Sequence, residues 1–140
     1  MSTQKISTLS VGDVMLPLDR FPVIGKTVIM KEAMEAMNSA RLGIACIVDN
    51  NMLLGILTDG DIRRKLLKSQ KPLSALFVDD ALVHSIRKPV VVQPSDLLFD
   101  AVTLMDKNQI WDLPVVDRHN ILIGVLHSHR AVAVLLGIKN

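Results

Sequence analysis

Apolar and polar positions fall into one pattern that the chain runs through twice. Met30, Ala33, Met34 and Met37 take the spacing i, i+3, i+4, i+7, which lays four apolar groups along one helix face. The same spacing, 68 places on, carries Leu98, Ala101, Val102 and Met105. Ahead of each helix the pattern predicts an extended piece, Phe21 to Gly25 and Val90 to Gln93. Thr27 and Ser95 are then placed to cap the helices through side-chain oxygens. After each helix comes an apolar, β-branched run, Ile44 to Val48 and Leu113 to Val116. Turn-forming residues follow, Asp49-Asn50-Asn51 and Asp117-Arg118-His119-Asn120. A second strand returns over Met52 to Leu57 and Ile121 to Leu126. The second turn is one residue longer, so Gly55-Ile56-Leu57 falls on Gly124-Val125-Leu126 at an offset of 69. Closing helices are predicted to start near Asp61 and near Arg130.

The order β-α-β-β-α therefore occurs twice and predicts an α+β sandwich made by duplication. The first repeat covers 11–67, a polar linker 68–78 and the second repeat 79–137. Two copies in register predict a pseudo-twofold pair, with the cleft between halves as the natural place for a ligand. Little sequence lies outside the repeats, which reads as a module taken from something longer.

Composition narrows the function. At 49% hydrophobic over 140 residues the chain can bury a core. Its 16 basic and 14 acidic residues leave a net charge of +2, so no strong field favours nucleic acid as a partner. Aromatic content of 3%, without Tyr, leaves few platforms for stacking bases. No apolar stretch has the length to span a bilayer and Met1 to Ser10 is not signal-like, which predicts a cytoplasmic protein with no membrane partner. The lone Cys46, in the apolar run Ile44 to Val48, reads as a small buried hydrophobe rather than a nucleophile.

The sharpest local feature is Gly55-Ile56-Leu57-Thr58-Asp59-Gly60-Asp61, where a strand ends and a helix begins within a few residues. Backbone N–H groups at such a start suit a phosphate, and the Thr58 hydroxyl can donate to one. Asp61, acceptor-only when ionised, suits the two hydroxyls of a ribose, and Gly55 allows close backbone approach. The competing reading makes Thr58 or Asp59 an N-cap and Asp61 a first-turn acid. In the second copy Thr58 becomes His127 and Asp61 becomes Arg130, a cation that prefers phosphate or carboxylate. The two halves are thus not expected to hold the same ligand equally.

The duplication, together with Gly-x-x-Thr-x-x-Asp at Gly55, Thr58 and Asp61, resembles a tandem pair of cystathionine-β-synthase-type (CBS) domains, the regulatory Bateman module. The resemblance covers nearly the whole chain. It implies a ligand such as AMP or ATP in the cleft between copies, with Thr58 on phosphate and Asp61 on ribose. A narrower likeness, over Leu42-Gly43-Ile44, Thr58-Asp59-Gly60-Asp61-Ile62-Arg63-Arg64 and Gly124-Val125-Leu126-His127-Ser128-His129, is to the C-terminal module of arabinose-5-phosphate isomerases. That implies an attached sugar-isomerase domain working toward Kdo for lipopolysaccharide, with the product CMP-Kdo as a further regulatory ligand. The Thr-Asp-Gly-Asp-Ile-Arg-Arg string is also similar to modules attached to sugar-phosphate nucleotidyltransferases.

Other residues are weighed against this frame. His127 and His129 lack a third ligand nearby, so no metal is expected, and His127 is placed to donate to an anion. Arg63 and Arg64 belong to a basic run that is either a solvated face or a pair of phosphate contacts. The methionines at helical spacing read as core or dimer-face packing, and Trp111, which matches Gly43, as cleft wall or filler. No nucleophile, base and acid grouping is present, so this segment is not expected to catalyse and needs no cofactor. A homodimer formed through the helix faces is expected, and a ligand-free dimerisation module stands as the alternative function.

Overall fold

Both hairpins form where the apolar runs place them. The structure, a computed structural model, describes residues 8–137, so Met1 to Ser7 of the polar start lie outside the described residues. In chain order the elements are α1 (Val11–Val14), β1 (Val23–Gly25), α2 (Met30–Ala40), β2 (Ile44–Asp49), β3 (Met52–Thr58), α3 (Asp59–Lys68), α4 (Leu73–Phe77), α5 (Leu98–Asn108), β4 (Asp112–Val116), β5 (Leu122–His127) and α6 (Ser128–Leu135). Short 3-10 turns cover Leu18–Arg20 and Ala81–His84. The chain is α+β, and it packs as two compact units.

One unit spans Leu18–Pro89. In it β1 runs parallel to β2, with Val23 opposite Cys46, and β2 pairs antiparallel with β3 from Ile44 opposite Thr58 to Asp49 opposite Met52. The connecting turn needs positive φ at both central residues, and Asn50 and Asn51 supply it at 49° and 67°. Met30, Ala33 and Met37 from α2 bury against Ala45, Ile47 and Leu57 of the sheet and Ile62 of α3. Cys46 is fully buried in β2. The stretch 68–78, read as linker, carries α4, because Leu76 has a place in this same core.

The other unit joins 90–137 to the start of the described chain, 8–17. Strand β4 pairs antiparallel with β5, from Asp112 opposite His127 to Val116 opposite Leu122. Where the first unit has β1, this one has a single parallel bridge, Val92 to Val115, so the extended piece expected over Val90 to Gln93 is reduced to one residue pair. Leu98, Ala101 and Met105 of α5 bury against Leu113, Val115 and Leu126, and Val11 and Val14 of α1 complete the core.

The helix starts differ from expectation, for one physical reason. Thr27 and Ser95 do not cap; α2 and α5 begin after Ile29 and Leu97, neither of which makes a side-chain cap. Instead a distant backbone carbonyl takes the first orphan donor: Met30 N–H donates to Asp79 O at 2.8 Å, and Leu98 N–H to Leu9 O at 2.8 Å. The segments supplying those carbonyls then cross the hairpins, Ile86 bridging Ile56 and Leu16 bridging Val125. The segment that opens the first repeat thus packs on the hairpin of the second, and the segment that opens the second packs on the hairpin of the first. Packing units and sequence repeats are interleaved.

Candidate functional site

Gly55 and Gly124 hold equivalent places, and their bareness has an internal cause. A Cβ on Gly55 would lie 2.6 Å from Ser85 Oγ and 2.8 Å from Ile86 O. On Gly124 it would lie 2.6 Å from Met15 Sδ and 2.8 Å from Leu16 O. The crossing segments occupy the space where a Cβ would stand, so both glycines are required by the fold.

At the end of β3 the chain passes directly into α3, two residues earlier than the sequence pattern placed the helix. Thr58 is the N-cap: its Oγ1 accepts the N–H of Asp61 at 3.2 Å and its hydroxyl donates to Asp61 Oδ2 at 2.6 Å. Arg64 Nη2 donates to Asp61 Oδ1 at 2.8 Å. Thr58, Asp61 and Arg64 are therefore one connected group in which the Asp61 carboxylate is largely covered. A hydroxyl has one proton to give, and Thr58 gives it to Asp61; the carboxylate, with about four acceptor directions, keeps two. Arg63 is not part of this group. It lines an open groove of about 430 Å3 beside Met34, Ile62 and Leu66.

The second hairpin ends with different chemistry. His127 Nδ1 lies 2.7 Å from Asp112 Oδ1, across the strand pair. The hydrogen bond to Asp112 raises the imidazole pKa, partial burial opposes the rise, and the carboxylate charge adds to it. The cross-strand partner of Thr58 is Ile44, so this device has no counterpart in the first unit. Arg130 points its Nε at Val14 O, 2.9 Å away, which uses one of five guanidinium donors and plants the side chain against α1. His129 lies within α6 rather than on the strand, and its ring stacks on that of His127 at 6.4 Å between centroids. Among the described residues no three or more His, Cys, Asp or Glu side chains cluster as a metal site would require. His84 instead meets Asp79 at 2.9 Å, which holds the Asp79 carboxyl below the usual range.

The Asp112 pairing was missed in the sequence because its signal is a cross-strand register, visible only once both strands are aligned. The Thr58–Asp61 spacing was legible as either cap or ligand motif, and the cap is what the geometry contains. No helix among the described residues is long and apolar enough to cross a membrane.

Comparison with known proteins adds the family. The chain is 36% identical over 128 residues to an uncharacterized protein of Helicobacter pylori, covering 89% of this chain and 36% of that one. It is 34% identical over 122 residues to the arabinose 5-phosphate isomerase KdsD of Escherichia coli K12, covering 86% of this chain and 36% of the enzyme. It thus spans about a third of the length of these relatives. Among solved structures, CBSX2 in complex with AMP is 28% identical, covers 94% of this chain and 99% of its own, and superposes with a TM-score of 0.80. The CBS domain pair of MJ0100, in complex with 5′-methylthioadenosine and S-adenosyl-L-methionine, shares the fold at 20% identity and a TM-score of 0.76, covering 93% and 97%. The CBS domain itself matches twice, over residues 11–68 and 78–137, and the chain belongs to the CBS domain family as a tandem pair.

Proposed function

We propose that this CBS pair is a cytoplasmic regulatory sensor that binds a nucleotide or nucleotide-sugar at the β3–α3 junction and biases an attached sugar-phosphate isomerase. The repeats run over 11–67 and 79–137 with 68–78 between them. The observation that carries the reading is the Thr58–Asp61–Arg64 group at a helix start, where backbone N–H groups, a hydroxyl, a carboxylate and a guanidinium meet. Asp61 takes the ribose hydroxyls on its remaining acceptor directions. Thr58 turns its hydroxyl from Asp61 to a phosphate oxygen, and Arg64 follows the charge. Arg130 and His127 serve an anionic group in the other unit, with donors left over from Val14 and Asp112. The AMP complex of CBSX2 supports adenine nucleotides as the ligand class, and the likeness to KdsD supports an arabinose-5-phosphate isomerase as the parent and CMP-Kdo as a candidate signal. A sugar-phosphate nucleotidyltransferase is the other candidate parent. The ligand acts by its different affinity for two arrangements of the module.

A second reading has its own observation. Because the Thr58 proton is already committed within the chain, the group also stands complete as a cap, which favours a ligand-free module that works by self-association through its helix faces. Calorimetric titration with AMP, ATP, CMP and CMP-Kdo separates the two. Binding of one ligand that is lost in both Thr58→Ala and Asp61→Ala supports the sensor. No heat with any of them, from folded protein, leaves self-association as the role.

A further inference from the structure

The imidazole at the end of β5 has one of its two nitrogens already assigned. His127 Nδ1 lies 2.7 Å from Asp112 Oδ1, and the Asp112 side chain is only 7% exposed, so water competes little for it. An ionised carboxylate has no proton to give. The proton between them therefore belongs to Nδ1, in the neutral ring as well as in the charged one. Nε2 is left as the nitrogen that can meet a ligand, on a side chain that is 29% exposed. In the neutral ring Nε2 is a bare lone pair and repels an anion. In the imidazolium it is an N–H donor on a positively charged ring. One proton turns the same atom from acceptor to donor, and Asp112 denies the ring the other tautomer.

The charges around it are few. Of the elements packed on β5, β4 brings Asp112, and α1 brings Asp13, whose carboxylate is turned to the Ser10 N–H at 2.9 Å. Helix α6 brings His129, whose ring stacks on His127, and Arg130, which spends one donor on Val14 O and keeps the rest. His127 and Arg130 stand three apart across a helix start. In the first unit that spacing brings the Thr58 hydroxyl within 2.6 Å of the Asp61 carboxylate. There the pair is donor and acid; here it is imidazole and guanidinium.

We infer that the His127–Arg130 site takes a doubly charged oxyanion, such as a phosphate group, together with a proton on His127. The inference rests on the sensor reading above, which puts an anionic group at these two residues, and adds the proton on which that contact depends. Arg130 attracts the anion at any pH, and His127 decides whether it stays. The Asp112 hydrogen bond lifts the imidazole pKa above its ordinary value of 6.5, burial opposes the rise, and the carboxylate charge adds to it. Asp112 thus does two things for the site: it aims Nε2 outward and makes the charged ring easier to form. A second imidazolium at His129 would repel the first, so the anion is also what lets both rings be charged together. At a fixed ligand concentration, occupancy of this site rises as pH falls.

Imidazole nitrogen NMR of the full chain, with and without sulfate, tests this. Sulfate serves as the anion because it stays doubly charged across the neutral range, so any pH dependence belongs to the protein. Without sulfate the neutral His127 ring is expected as the Nδ1–H tautomer, and a neutral Nε2–H ring overturns the inference outright. Saturating sulfate should raise the His127 midpoint, and sulfate affinity there should fall about tenfold for each pH unit above the sulfate-free midpoint. His127→Gln can give its amide N–H to Asp112 and then presents an oxygen outward, so it should hold sulfate weakly at every pH. The wild-type titration decides by itself if that variant does not fold. The sensor reading is followed in parallel by adding AMP, ATP, CMP and CMP-Kdo and watching the amides of Thr58 and Asp61. Sulfate held at His127 with one affinity at all pH, or a His127 midpoint that sulfate leaves unmoved while a nucleotide shifts Thr58 and Asp61, overturns the proton coupling alone. No response to sulfate or to any nucleotide, at any pH, removes the sensor reading and the proton coupling together.

Discussion

Thr58 and His127 end equivalent strands and precede equivalent helices, yet the carboxylate that answers each sits in a different element. Thr58 turns forward to Asp61 in its own helix, and Arg64 one turn on balances that acid. His127 turns sideways to Asp112 on the neighbouring strand, and the position of Asp61 is given to Arg130, which reaches Val14 O. The backbone path is the same; the acid has moved from helix to strand. One consequence is chemical. The second group contains an imidazole whose pKa the neighbouring carboxylate raises, and the first contains no imidazole at all. Motif letters alone do not reveal this, because Asp112 lies fifteen residues before His127 and meets it only through strand register.

The comparison is broken most forcefully at what the two hairpins share. Gly55→Ala and Gly124→Ala each push a methyl group against a backbone carbonyl of a crossing segment, and each should destabilise by about 3 kcal/mol in chemical denaturation. A cost under about 1 kcal/mol for either would mean that the crossing segment can withdraw.

Next in size is Asp112→Asn, expected to cost about 2 kcal/mol in acid, the range of a hydrogen bond to a charged partner. The folded imidazole of His127 has a raised pKa, so its stabilising effect is complete below the unfolded value of about 6.5 and is lost as pH rises through the folded one. The gap between wild type and variant should therefore narrow with rising pH. An NMR titration should show the His127 pKa falling when Asp112 is changed; an unmoved midpoint would detach the two groups.

The smallest effects lie in the first group. Thr58→Ala removes a cap and should cost about 1 kcal/mol. Arg64→Ala removes a mostly exposed guanidinium from the covered Asp61 carboxylate and should cost about 0.5 kcal/mol or less by the same denaturation measurement. A larger loss for Arg64→Ala than for Thr58→Ala would make the ion pair, and not the cap, the organising contact.

Local pattern carried both hairpins, all four main helices and their cores, because each follows from apolar spacing that nothing else in the chain opposes. Helix starts were misplaced for the opposite reason: the donors of Met30 and Leu98 are met by Asp79 and Leu9, and no local signal announces a partner so far away. The crossing segments were illegible too. Each joins its hairpin through an isolated bridge, and one residue pair has no periodicity to detect. Gly55 and Gly124 were visible as a repeated pair, but their cause could not be read without those segments.

The interleaving of segments and hairpins bears on how such a chain could have arisen. A lone ancestral repeat would have had its opening arm directed away from its own hairpin, leaving Gly55-like space unfilled and the first donor of its long helix unmet. Two such peptides would meet both needs by trading arms, and joining them in one chain removes the concentration dependence of that exchange. The modern chain should retain that history. Fragments divided between Lys71 and Pro72 are expected to fold poorly apart and to regain helical circular dichroism when mixed. A fragment that folds fully by itself would remove the exchanged ancestor.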